Sequence, residues 1–167
     1  MRPLAKYSMG IGDRFGCQGE AQLEAFKRFR GQCGMEVVPV WNKSNREHKT
    51  IGTRPESVRR EADAAVAKAG WTAPYHVDAD HISLATVDGF IASSDFFTLD
   101  VADYMGETTD EGEIYGFVAR HGELIGSHAV EGLEEPVTLT KPHLAEIVRG
   151  TLFAIRQAGR LYRHIAE

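Results

Sequence analysis

Four short runs dominated by apolar residues, Tyr7 to Ile11, Val37 to Trp41, Tyr75 to Ala79 and Phe96 to Leu99, alternate with stretches of helical period. Short strand-length runs dominated by apolar residues point to burial on both faces, the condition of a parallel sheet covered by helices. An order of strand, helix, strand, helix joins parallel strands through right-handed crossovers. The pattern therefore predicts an α/β chain of βα repeats. At 167 residues, with no internal repeat or low-complexity linker, the expectation is one domain over residues 1–167.

The helical segments carry their own punctuation. Gln18 to Gln32 places Leu23 and Phe26, with Phe29 or Phe15, on one side, and Gly31 and Gly34 suit its end. Thr53-Arg54-Pro55-Glu56 combines a Thr cap, an early Pro and a Glu at the capping-box position. Val58, Ala62, Ala65, Val66 and Ala69 follow at helical spacing, and Gly70 closes that segment. A short helical stretch is expected over Leu84 to Phe90, and a longer one over Asp110 to Ile125, capped by Thr109. The last begins near Thr140 and runs to Glu167 without a Gly stop. Asn42 to Gly52 reads as a polar loop. Pro39, inside the second strand, implies a bulge or an edge, because it lacks a ladder donor.

The polar residues gather where the strands end. Gly12-Asp13-Arg14 follow the first strand, Asn42-Lys43-Ser44-Asn45-Arg46-Glu47-His48 the second, Asp78, Asp80 and His81 the third, and Asp100 and Asp103 the fourth. Ligands bind at that face of parallel α/β folds, whether barrels or open sheets. Asp80 and His81 are the sharpest candidates. Side chains of neighbouring strand residues point to opposite faces, but at a strand's end the chain turns and both can reach the mouth. An imidazole can bind a transition metal with its second nitrogen held by a carboxylate such as Asp78 or Asp103, and a carboxylate beside a cation can act as a base. Asn42, Lys43 and Arg46 are candidate substrate contacts, the two cations suited to a carboxylate or phosphate. Asp100 and Asp103 suit loop capping, and His48, His121, His128, His143 and His164 suit packing or surface positions.

Other chemistries are excluded on spacing and charge. Gly10-x-Gly12 has Phe15 where a dinucleotide fingerprint needs its third Gly, and Asn42 stands where an acidic residue should close the second strand. The net charge of −5 gives no reason to expect a nucleic acid or an anionic membrane as partner. No apolar run reaches the roughly 20 residues of a membrane span. Cys17 and Cys33 are too few and too far apart for a disulfide framework. They read as two buried, reduced thiols of a cytoplasmic protein.

Four segments of this chain resemble the tagaturonate epimerase family. They are Tyr7 to Gly16, Val40 to His48, Val77 to Ile82 and Ser94 to Tyr104, among them Gly12-Asp13-Arg14-Phe15-Gly16 and Asp78-Ala79-Asp80-His81. The family's enzymes interconvert tagaturonate and fructuronate in hexuronate catabolism and depend on a divalent metal. The resemblance implies Asp80 as proton acceptor and His81 as one metal ligand. It places the proton donor and the other ligands downstream of the matched region. It also implies about half of a TIM-barrel-like (β/α)8 fold, truncated at both ends, and a ketouronate substrate whose carboxylate gives Lys43 or Arg46 a task.

Two other functions stay open at this level. One is a metal-dependent aldolase or isomerase acting on another sugar acid. The other is an inactive half-barrel that binds a partner or forms a homo-oligomer through an unpaired sheet edge. The metal itself is open among zinc, manganese, nickel and cobalt.

Overall fold

The computed structural model describes residues 4–167. These fall into two compact units that divide after Asp100. The first unit holds four strands, β1 (Ser8–Ile11), β2 (Val38–Ser44), β3 (His76–Ile82) and β4 (Phe96–Leu99), in one sheet ordered β1-β2-β3-β4. Every neighbouring pair is parallel. Between the strands run α1 (Gly19–Cys33), α2 (Asn45–Ile51) and α3 (Glu56–Ala69). An unreversed strand order is that of a singly wound sheet, so the unit is TIM-barrel-like, with four of the eight strands such a barrel uses.

One face of the sheet takes the helices. Ile11, Trp41 and Val77 lie in one row across β1, β2 and β3, and they pack with Leu23 of α1 and Val58, Ala62 and Ala65 of α3. Trp41 and Leu23 are fully buried there. Tyr75 stands edge-on to the Trp41 ring, at 5.9 Å between centroids. Burying side chains of this size contributes roughly 1.5–3 kcal/mol each, which makes this layer the unit's main adhesive.

The helix ends follow the expected chemistry with two exceptions. α1 and α3 stop at Gly34 and Gly70, both left-handed, as the sequence requires. The stretch expected as a polar loop contains α2 instead. Its Ser44 and Glu47 form a reciprocal capping box, and Gly52 ends it in the left-handed region. Thr53 does not cap α3, whose first flanking residue is Pro55; the Thr53 hydroxyl meets His48 Nδ1 at 2.9 Å.

Pro39 causes neither a bulge nor an edge. Val38 donates to Tyr7 of the β1 side, so the nitrogen of Pro39 faces the β3 side. There the register begins only at Val40 with His76, and no donor is missed. The expected helical stretch between β3 and β4 is a single tight turn, Val87–Gly89.

The second unit holds α4 (Glu111–Arg120), an antiparallel pair β5 (Gly126–His128) and β6 (Val137–Leu139), and α5 (Lys141–Ala166). Asp110, not Thr109, caps α4 by accepting from the amides of Gly112 and Glu113. Thr140 caps α5, and Pro142 lies in its first turn. Ile114 and Val118 pack on Leu144, Ala145, Val148 and Leu152. Arg149 clasps Glu111 with two hydrogen bonds of 2.9 and 3.1 Å. Cys17 and Cys33 are both free and exposed, contrary to their expected burial. No helix among the described residues is long and apolar enough to cross a membrane.

Candidate active site

The sheet face opposite the helices, apolar at Val38 and Val40, turns polar toward the carboxyl ends of the strands. Asn42 and Asp78 are register partners on it, and Thr98, two residues past the β4 partner Phe96, bonds to Asp78 from the same face. The polar extension of β2 explains why: the strand continues through Asn42, Lys43 and Ser44, and alternation sends Trp41 and Lys43 to the helical side. Asn42 and Ser44 take the other.

Asn42 is accommodated by two glycines of β1 and its exit. A Cβ on Gly10 would lie 3.0 Å from Asn42 Nδ2, and one on Gly12 only 2.7 Å from the Asn42 carbonyl. Gly12 also has φ near 150°, where other residues are strained. The Gly10-x-Gly12 spacing thus serves close approach to an amide side chain.

Asp78 is 5% exposed. Its Oδ1 accepts from the Thr98 amide at 3.0 Å and its Oδ2 from the Thr98 hydroxyl at 2.8 Å. Burial pushes its carboxyl up to about 6, against the pull of those bonds and with help from the charge on Asp80. Desolvation outweighs hydrogen bonding here.

Beyond Asp78 the strand departs from regularity. Ala79 pairs with Phe97 and Ile82 with Leu99, so two residues, Asp80 and His81, oppose one on β4. This is a bulge. His81 has φ of 53°, the only described residue other than glycine with positive φ. The local turn brings consecutive side chains together: His81 Nδ1 meets Asp80 Oδ1 at 2.7 Å. Asp80 is mostly covered, whereas the His81 side chain is 64% exposed. The pair stands at the carboxyl end of β3, where the sequence places it, and the bulge supplies the means.

The other candidates separate. Lys43 is 3% exposed and faces Glu61 of α3, Nζ to Oε2 at 3.8 Å. Its amine is engaged on the helical side, away from the face that holds Asn42 and Asp78. Burial raises the Glu61 carboxyl, Lys43 opposes that rise, and Asp13 adds to it. Arg46 lies exposed in the first turn of α2, with its carbonyl accepting from Thr50. His48 is buried under Phe90, and burial followed by the Lys43 charge holds its imidazole below the usual range.

Sequence reading gave no role to Thr98 or to Glu47. The Ser44-x-x-Glu47 spacing carries a capping signal for Glu47; nothing in the sequence pairs Thr98 with Asp78.

For a metal, the imidazole of His81 has suitable chemistry, with one nitrogen held by a carboxylate and the other on an exposed ring. A full ligand set is not supplied by the described residues, among which no group of three or more His, Cys, Asp or Glu could hold an ion.

Comparison with known proteins sets this geometry in a lineage. No curated protein matches the chain. Two crystal structures of the fructuronate-tagaturonate epimerase UxaE from Cohnella laeviribosi share its fold at 19% identity. The native form has a TM-score of 0.71 over 94% of this chain and 34% of its own. A form with one glycerol bound has a TM-score of 0.68 over 90% of this chain and 32% of its own. The chain thus spans about a third of the length of the structures it matches. The family model for tagaturonate epimerase matches residues 2–126, and the chain belongs to that family.

Proposed function

We infer that this chain serves a sugar-acid epimerase that interconverts tagaturonate and fructuronate, and that its part of the site is the Asp80–His81 pair. The observation that carries this is the bulge at the end of β3, which sets a carboxylate and an imidazole side by side where parallel α/β folds bind ligands. Family membership supports the substrate class.

The two ketouronates differ at a hydroxyl carbon one bond beyond the ketone's α position, so enolisation alone does not invert it. A retro-aldol route does. Asp80 takes the proton of that hydroxyl, and the bond between its carbon and the α carbon breaks. Its electrons move toward the ketone oxygen to give an enolate, while the hydroxyl carbon becomes an aldehyde. Rotation presents the aldehyde's other face, the bond re-forms, and Asp80 returns the proton. His81 is the residue that would help hold a divalent cation, which, when bound, polarises the ketone and steadies the enolate charge. Its other ligands would come from beyond the described residues. Asp78 and Asn42 line the floor below this pair.

The 2.7 Å contact supports a second reading of the pair. If Asp80 fixes the Nδ1 proton of His81, then Nε2 is itself the base and Asp80 its orienter.

The two readings separate by mutation, with divalent cation supplied and the conversion followed in both directions. For Asp80 as base, Asp80→Asn lowers turnover by about 100-fold or more, and His81→Ala also lowers bound metal. Full turnover in Asp80→Asn would remove the base assignment. Unchanged metal content in His81→Ala, with turnover lost, would favour the imidazole as base.

A further inference from the structure

A ketouronate carries a carboxylate, and the reading above leaves it without a partner. Lys43 is committed to Glu61. Another cation stands at the same end of the sheet as the candidate pair. Arg14 lies as far past Ile11 as Ser44 lies past Trp41 and Asp80 past Val77, and Ile11, Trp41 and Val77 share one row of the sheet. Contacts bear out that common height. Arg14 Nε is 3.6 Å from Glu47 Oε1. The other oxygen of Glu47 takes the Ser44 amide at 3.0 Å and the Ser44 hydroxyl at 3.1 Å. Ser44 is in turn the register partner of Asp80. The guanidinium is thus tethered at the end of β2, one strand from Asp80. Adjacent strands are about 5 Å apart, comparable to the four-bond carbon chain between ketone and carboxylate in the substrate.

The loop that carries Arg14 is well fastened. Asp13 accepts from the amides of Phe15 at 3.0 Å, Cys17 at 3.0 Å and Gln18 at 2.8 Å. The left-handed Gly16 turns the chain toward α1. Arg14 itself keeps 54% of its side chain exposed. Its contact with Glu47 is longer than a hydrogen bond and engages the Nε side, which leaves the terminal nitrogens for a bidentate carboxylate.

We propose that Arg14 is the specificity-determining residue that takes the substrate's carboxylate, selecting a sugar acid over the corresponding neutral ketose. The proposal rests on the ketouronate reading of the site. Arg46, the exposed cation of α2, is the competing assignment.

Titration of the 167-residue chain with fructuronate and with fructose, in the presence of divalent cation, tests it. The expected result is tighter binding of fructuronate by the wild type. Arg14→Gln then weakens fructuronate binding by about 10- to 100-fold and leaves fructose unchanged. Arg14→Lys, which keeps the charge and loses the fork, recovers part of the loss. Arg28→Gln, which removes a surface charge paired within α1, has no effect. Thermal melts of the variants superimpose on the wild type. Three results overturn the proposal: no preference for fructuronate in the wild type, a preference that survives Arg14→Gln, or a loss that follows Arg46→Gln instead. An aldouronate bound as tightly as fructuronate, and still through Arg14, would count against the ketouronate reading and leave the Arg14 assignment standing.

Discussion

The two faces of the four-stranded sheet treat ionisable groups in opposite ways. On the helical face, amid Trp41, Leu23 and Val58, Lys43 and Glu61 are buried together, and each neutralises the other. On the opposite face Asp78 is buried with hydrogen bonds from the neutral groups of Thr98 and the like charge of Asp80 nearby, and its carboxyl is pushed up to about 6. A few residues along the same strand, Asp80 and His81 meet at a more open position. One side uses its charges for cohesion, and the other keeps a buried carboxyl, Asp78, that no ion pair among the described residues relieves. That contrast, more than any single residue, marks which face is suited to a ligand.

The contrast can be broken at its strongest point. Glu61→Ala strands Lys43 as an uncompensated buried charge and is expected to lower stability by about 3–5 kcal/mol in denaturant unfolding. A double change of Lys43→Met and Glu61→Leu removes both charges and is expected to restore most of that loss. A double variant as unstable as Glu61→Ala would show that the pair does more than neutralise itself.

Asp78 gives a smaller effect with a characteristic pH dependence. Its folded carboxyl titrates near 6, above the ordinary 3.8. Between about pH 4 and 6 the folded chain holds a proton that the unfolded chain has released, so stability falls as pH rises through that window. Above it, the penalty of the buried charge is on the order of 3 kcal/mol. Asp78→Asn should flatten the stability profile between pH 4 and 6. An unchanged slope in the variant would move the responsibility to another group.

The least change is expected at His81. Its positive φ is one that glycine adopts freely and a side chain opposes by about 1 kcal/mol. His81→Gly should therefore raise the unfolding free energy by about that amount while removing the candidate ligand. A drop in stability would mean that the Asp80 contact more than offsets the backbone strain.

Much of the first unit was legible because local and long-range signals agree. Gly34 and Gly70 stop helices whose apolar spacing already predicts them, and the apolar runs coincide with β1 to β4. The reading failed where polar residues take part in regular structure. Asn42-Lys43-Ser44 continue β2 because Lys43 finds Glu61, a partner far along the chain that local pattern does not reveal. α2 hides in a polar stretch, although Ser44-x-x-Glu47 and Gly52 spell both its ends. β5 and β6, three residues each, are too short for a period to register. For the site, the position of Asp80 and His81 at a strand exit was readable. The bulge that joins them was not, because nothing in the residue types announces a left-handed histidine.

That bulge has a bearing on heredity as well as chemistry. The Asp80–His81 contact is made between chain neighbours, across the one backbone bend that the bulge against β4 produces. A site assembled from several strands drifts apart whenever those strands shift; this pair moves as one piece. Two adjacent codons carry both groups together. The pair can thus pass intact through insertions, deletions and recombination elsewhere in the gene.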